Sequence, residues 1–299
     1  MRTIIICGAT ATGKSDLAVA LAQEIGAEIV NADSMQVYKG MDIGTAKLSE
    51  KDRGGITHHL LDVLKVNEDS TVAWYQERAR AIVDEIHKRG LDAIIVGGTG
   101  LYIKAIVDDL NFPDTDPVIR SRLELESIEL GSSVLFERLE KLDPAAALAI
   151  DRANTRRIIR ALEVIEITGK PFTANLPREE SSRYPAALHF GLSQDRESLD
   201  IRVSNRVDSM WDAGLIAEVE SLVGQGLRDG VTAQKALGYA QALQMLDGLL
   251  TSDQAREETK RVTRQYIRRQ DTWFSRDSRL HWLGHYENRL EKILARLNS

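Results

Sequence analysis

Gly8-Ala9-Thr10-Ala11-Thr12-Gly13-Lys14-Ser15 follows directly on the apolar run Thr3-Ile4-Ile5-Ile6-Cys7. The order is strand, glycine-bearing loop, helix start. Such a loop turns its backbone N–H groups inward at a helix N-terminus, where they and the helix dipole favour an anion. Lys14 is spaced to reach phosphates and the Ser15 hydroxyl to ligate Mg²⁺. A plain turn between a strand and a helix is the competing reading. The strand-before, helix-after context favours the phosphate cradle, formed by Gly8, Ala9, Thr10, Ala11, Thr12, Gly13, Lys14 and Ser15.

Downstream of the loop, Leu17 to Ile25 has the composition of a helix, and 27–32 reads as a second strand ending at Asp33-Ser34. Val72, Tyr75, Ala79, Ile82, Val83 and Ile86 have helical spacing within 71–89, and Gly90 stops that helix. Leu91 to Val96 reads as a short buried strand running into Gly97-Gly98-Thr99-Gly100. Strands alternating with helices imply a parallel sheet with crossover helices, a P-loop NTPase-like α/β core. Ligands of such sheets sit at the carboxyl ends of the strands, so the segments after residues 7, 32 and 96 should converge.

The texture changes after Val107. Asn111-Phe112-Pro113-Asp114-Thr115-Asp116-Pro117 reads as a joint, and 118–168 is almost entirely helix-period with breaks at Gly131 and Asp143-Pro144. Gly169-Lys170-Pro171 ends the last helix, and 177–185 reads as a loop. Leu188 to Leu192 returns to strand. The expected organisation is a core of 1–110 and 187–299 with an all-helical insertion at 111–186. Helices are expected near 199–213, 216–223, 240–249 and 253–274, with a late strand at His281-Trp282-Leu283.

Of the 299 residues, 43% are hydrophobic and 28% charged, ordinary for a globular protein. No apolar run approaches the length of a membrane helix, and the stretch before Gly8 is too short for a signal-peptide core. Cys7 is the only cysteine, which excludes an internal disulfide and fits a reducing cytoplasm. The net charge of −6 argues against a general nucleic-acid binder. Basic residues are concentrated in two places, however. Arg152, Arg156, Arg157 and Arg160 fall in one short stretch without acids, and seven basic residues lie in 259–279 against Asp271 and Asp277. Each segment alone reads equally as a solvated helix face.

Asp33-Ser34-Met35-Gln36-Val37-Tyr38-Lys39-Gly40-Met41-Asp42-Ile43-Gly44-Thr45-Ala46-Lys47 resembles the signature of the tRNA dimethylallyltransferase family, also called tRNA isopentenyltransferases. His58-His59-Leu60-Leu61-Asp62, Gly97 to Tyr102, Arg157 to Lys170, Arg206-Val207-Asp208-Ser209-Met210, Arg264-Gln265-Tyr266 and Thr272-Trp273-Phe274 resemble further blocks in family order. Departures are mild: Ala9 stands where Pro is usual, and Thr12 and Ser15 exchange hydroxyl types. The expectation is the bacterial form, without a C-terminal zinc-finger extension.

The resemblance implies that the exocyclic amine of the tRNA adenine 3′ of the anticodon attacks the first carbon of dimethylallyl diphosphate, and diphosphate leaves. Asp33 would then be the base, its competing role being an N-cap for the next turn. Lys14, Ser15 with Mg²⁺, the loop backbone and Arg206 would stabilise the leaving group. Arg202 lies one helical turn before Arg206, and the family match favours Arg206. Ser34 and Gln36 carry donors and acceptors for an adenine edge, with Met35 beside them. Thr99 and Arg120 match tRNA-contacting family positions, and 235–240 does so less fully. The insertion, through Arg156, Arg157 and Arg160, would grip the anticodon stem. The adjacent His58 and His59 have poor spacing for a shared metal and read as structural. The expected enzyme is a cytoplasmic monomer with no membrane partner. Its rivals are a small-molecule P-loop kinase, shikimate-kinase-like, and a nucleotide-switched RNA-binding protein. A Walker B aspartate is missing at the end of the 91–96 strand, which counts against the kinase.

Overall fold

The computed structural model describes residues 1–175 and 182–298. The sequence divides into two compact units, 1–107 with 184–298 and 108–183. These divisions fall a few residues before positions 111 and 187. Part of the expected 177–185 loop, 177–181, lies outside the described residues.

The first unit is built on six parallel strands: β1 (Thr3–Gly8), β2 (Glu28–Asn31), β3 (His58–His59), β4 (Ala93–Gly97), β5 (Leu188–Leu192) and β6 (His281–Leu283), in the order β3-β2-β4-β1-β5-β6. β1 is central and fully buried. Its side chains alternate: Ile4 and Ile6 face a core with α1 (Lys14–Ile25) and α12 (Arg289–Leu297), while Ile5 and Cys7 face α2 (Val72–Lys88) and α3 (Gly100–Val107). Burial on both faces explains why the strands read as continuous apolar runs rather than alternating ones. β1, β2 and β4 are adjacent, so the segments following them emerge side by side. Two glycines permit this crowding. A Cβ on Gly8 would lie 2.7 Å from the Leu192 carbonyl oxygen, and one on Gly97 would lie 2.2 Å from that of Ala32.

A third core in this unit joins α8 (Arg196–Asp212), α9 (Leu215–Val223) and α10 (Tyr239–Leu246) to the chain after β2 through Val37, Tyr38 and Met41. α11 (Ser252–Phe274) packs along α8 and crosses the end of β1. The second unit holds α4 (Pro117–Leu130), α5 (Ser132–Leu142), α6 (Pro144–Ala149) and α7 (Thr155–Thr168) around Leu123, Leu135, Leu139, Ile158 and Leu162. Asp116 and Asp143 cap α4 and α6, each followed by a proline whose missing N–H costs nothing at a helix start.

Three elements fall outside the sequence expectations. β3 is a two-residue edge strand, too short to carry a pattern. α3 buries Tyr102, Ile103, Ala105, Ile106 and Val107, so it lacks the polar face that marks an amphipathic helix. α12 presents Leu290, Ile293, Leu294 and Leu297 to the α1 side of the sheet. The helical unit also has a break at 150–154, between α6 and α7, that the spacing does not signal. No helix among the described residues is long and apolar enough to cross a membrane.

Candidate active site

The loop after β1 is held in shape by contacts within the protein. Gly13 caps α1 in a left-handed conformation at φ 85°, and Ala11 is also left-handed at φ 67°. The Thr12 hydroxyl donates to the Ala9 carbonyl at 2.9 Å, and the Lys14 amine donates to the same oxygen at 2.7 Å. Thr10 N–H donates to the Gln270 side chain on α11 at 2.9 Å, and Arg289 Nη1 donates to the Thr12 carbonyl at 2.7 Å. The backbone N–H groups from Ala11 to Ser15 have no acceptor among the described residues. They form the open set of donors that an anion at this helix start requires.

Asp33 sits just past the end of β2. Buried Asn31 fixes it there: the Asn31 side chain accepts from Asp33 N–H and donates to the carbonyls of Asp33 and Leu60. Asp33 Oδ1 accepts from Met35 N–H at 2.8 Å. The capping role leaves Asp33 Oδ2 without a partner among the described residues. Burial pushes the Lys14 amine down to about 8; the Asp33 charge opposes this and the Arg206 charge adds to it. Burial also lowers the Arg206 guanidinium, again against the pull of Asp33. Burial pushes the Tyr266 hydroxyl up to about 12. Lys14, Asp33 and Arg206 thus sense one another.

Asp33 and Arg206 line a cavity of about 270 Å³, reached from the phosphate loop at Thr10; Lys14 is not part of the lining. Thr10, Asp33, Arg206 and Tyr266 form a polar end, and Met35, Val203, Val207, Met210 and Leu237 an apolar wall. Ser34 lines it too, and its N–H donates to Thr99 Oγ1 at 3.2 Å. Gln36 is directed elsewhere: its amide donates to the Thr45 carbonyl, the acceptor that Arg206 also uses. Gln36 therefore holds the 41–47 turn rather than lining the cavity. Arg202 is exposed on α8 and is not part of the lining.

In the helical unit the four expected arginines divide. Arg120 and Arg160 both donate to Glu163, a fully buried carboxylate that also accepts from Asp116 N–H. Arg160 donates as well to the carbonyls of Pro113 and Asp114, so it pins the joint before α4. Arg156 and Arg157 are exposed, and their side chains form no ion pair among the described residues. His59 pairs with Glu28, and the His58 ring contacts the Ile56 carbonyl.

The sequence does not single out Arg269, Gln270 and Arg289 as site residues; Lys235 and Tyr266 enter only within blocks that resemble the family. Lys235 and Arg269 are surface-type residues until the fold brings them to the cavity. Gln270 did carry a signal. It is a polar residue spaced 3 from Ile267 and 4 from Phe274, on the buried stripe of α11.

Fold and site together define a protein of the parallel α/β class with an anion-type loop on its central strand, faced by a carboxylate, an arginine and an apolar wall. Residues 36–277 match the IPP transferase family. A tRNA dimethylallyltransferase of Thermobifida fusca is 55% identical over 289 residues, spanning 95% of this chain and 90% of the relative. That of Streptomyces griseus is 55% identical with the same coverage. Among solved structures, the tRNA isopentenylpyrophosphate transferase of Bacillus halodurans superposes with a TM-score of 0.72 at 38% identity, covering 99% of this chain and 94% of that one. A eukaryotic dimethylallyltransferase acting on tRNA superposes at 0.83 with 26% identity, covering 100% and 79%. The chain belongs to the IPP transferase family.

Proposed function

We propose that the protein transfers a dimethylallyl group from dimethylallyl diphosphate to the exocyclic amine of the tRNA adenine 3′ of the anticodon, giving N6-isopentenyladenosine and diphosphate. One observation carries this reading: an arginine, a carboxylate with a free oxygen and apolar side chains line one cavity of about 270 Å³ that begins at Thr10 of the phosphate loop. A prenyl diphosphate needs the first and last of these together, and an amine nucleophile needs the second.

The bond between the adenine nitrogen and the first prenyl carbon forms as the carbon–oxygen bond to diphosphate breaks. Asp33 takes the proton that the nitrogen releases; the amine is a weak nucleophile because its lone pair is shared with the ring. Charge accumulates on the departing diphosphate, where Lys14, Arg206 and the loop N–H groups would stabilise it electrostatically. Thr99 and Ser34 would stand beside the base, and Met35, Val203, Val207 and Met210 would cover the prenyl tail.

Among the described residues no group of three or more acidic, histidine or cysteine side chains could hold a metal. Mg²⁺ would therefore rely on diphosphate oxygens, water and the Ser15 hydroxyl, a donor set that suits it. There it would neutralise charge on the leaving group. Arg156 and Arg157 are the exposed cations with which the helical unit would hold the anticodon stem. A cytoplasmic location and a monomer complete the proposal.

The test is to incubate the protein with Mg²⁺, unmodified tRNA and dimethylallyl diphosphate, then weigh the digested nucleosides. Prenylated adenosine should form with wild type, and Asp33→Ala should lower the rate about 10²–10⁴-fold. Absence of prenylation, with ATP-dependent phosphorylation of a metabolite instead, would favour a kinase.

A further inference from the structure

We propose that Gln270 is a positioning residue that fixes the phosphate loop against the turn after β4, and so sets the distance between the two substrates. The side chain is 4% exposed and makes two hydrogen bonds of opposite sense. Its oxygen accepts from Thr10 N–H at 2.9 Å, and its nitrogen donates to the Gly98 carbonyl at 2.8 Å. A side-chain amide offers an acceptor and a donor in one plane; ionised glutamate lacks the donor, and methionine has no donor and only a weak acceptor. The two backbone partners also fix which end of the amide is oxygen.

The turn is shaped to admit this amide. A Cβ on Gly98 would lie 2.4 Å from the Gln270 nitrogen. The next residue, Thr99, accepts from Ser34 N–H at 3.2 Å, and Ser34 follows Asp33. One helical turn before Gln270 on α11, Tyr266 lines the cavity. A continuous path therefore runs from the diphosphate loop, through Gln270 and Gly98, to Thr99, Ser34 and Asp33. The loop stands on β1 and the base-side groups on β2 and β4. Gln270 is the side chain that touches both the loop and the turn.

Thr10 N–H is occupied by this bond, while the N–H groups from Ala11 to Ser15 remain open. Gln270 therefore acts by orienting the loop and contacts no substrate itself. Breaking this tie should impair transfer more than the binding of either substrate, because a misplacement near 1 Å is enough to lower a two-substrate reaction severely.

The kinetic part of the inference rests on the transferase reading, and the binding part does not. Gln270→Met keeps length and removes both bonds. Inorganic pyrophosphate binding, by calorimetry, should weaken about fivefold, which needs no transfer activity to observe. The turnover number should fall at least about tenfold, with KM for tRNA within about twofold of wild type. Gly98→Ala approaches from the other side, pushing the amide away while leaving Gln270 in place, and should reproduce both changes; it carries the test where Gln270→Met does not fold. If the folded variants bind pyrophosphate and turn over as wild type does, with only a lower melting temperature, the proposal is overturned and Gln270 is a packing residue. If wild type transfers no prenyl group, the transferase reading fails and the pyrophosphate affinities alone decide the role of Gln270.

Discussion

Lys14 is the residue whose environment makes a prediction about pH. Burial brings its amine down to about 8 from an ordinary lysine value of 10.5. Below that point the free protein presents a charged Lys14 to an incoming diphosphate; above it the amine is neutral. Affinity for pyrophosphate should therefore fall as pH rises through about 8, and binding in that range should take up a proton, because the ligand restores the charged form. Calorimetry in buffers of different ionisation enthalpy measures the uptake. Lys14→Arg keeps its charge throughout and should flatten the part of the fall that belongs to the protein. If the slope persists unchanged in that variant, Lys14 is not its source.

Residue positions at the cavity were legible where a local block marks them, and hidden where they follow from folding. The glycine loop, Asp33 and Arg206 announce themselves in the sequence by their local blocks. Asn31 does not: nothing in a strand ending Ile-Val-Asn says that the asparagine will fix the next aspartate by two hydrogen bonds while a third ties it to the Leu60 carbonyl. Gln36 shows the reverse. Its amide is chemically suited to an adenine edge, yet it is committed to the Thr45 carbonyl.

At the scale of elements, α7 separates anchoring charge from available charge. Burial pushes the Glu163 carboxyl up, but the hydrogen bonds from Arg120, Arg160 and Asp116 N–H outweigh it and hold the group below the usual carboxylate range. Removing the acid would take away the shared acceptor of Arg120, Arg160 and Asp116 N–H, leaving Arg160 only the Pro113 and Asp114 carbonyls. Glu163→Ala should destabilise the helical unit by about 3 kcal/mol, read as a lowered unfolding midpoint. Arg156 and Arg157 occupy the same helix without such ties. Replacing both by Gln should leave that midpoint nearly unchanged and reduce the salt dependence of tRNA binding, by up to about 0.7–0.9 in logarithmic slope for each phosphate no longer neutralised. Arg160→Gln should do the opposite, lowering stability more than slope. A cluster of arginines in a sequence gives the charge but not this division, because the division depends on Glu163, which reads as one more polar residue of an amphipathic helix until its burial is known.

At the scale of the whole molecule, the decisive fact is that the chain leaves the α/β unit at Val107 and rejoins it at Tyr184, and each unit encloses its own apolar core. The sequence already marks such an excursion by the Pro/Asp-rich joint and by the switch from alternating elements to helices alone. Its inner boundaries are less legible, since α3 is buried over most of its surface and lacks the polar face of an amphipathic helix. Val107 and Tyr184 belong to the same core cluster, beside Tyr102 and Ile106. The α/β unit therefore does not need the intervening helices to complete that core. Replacing 108–183 by a short Gly/Ser linker should yield a cooperatively folding unit, because loop closure costs little once both ends are held. Its pyrophosphate affinity should stay within about threefold of the full chain, as every residue around the phosphate loop is retained. Its tRNA affinity should fall at least about tenfold, since Arg156 and Arg157 are gone. Retention of full tRNA affinity would place the RNA grip in the α/β unit, where α11 supplies Arg268 and Arg269. Loss of pyrophosphate binding in a folded variant would instead show that the phosphate loop depends on the helical unit.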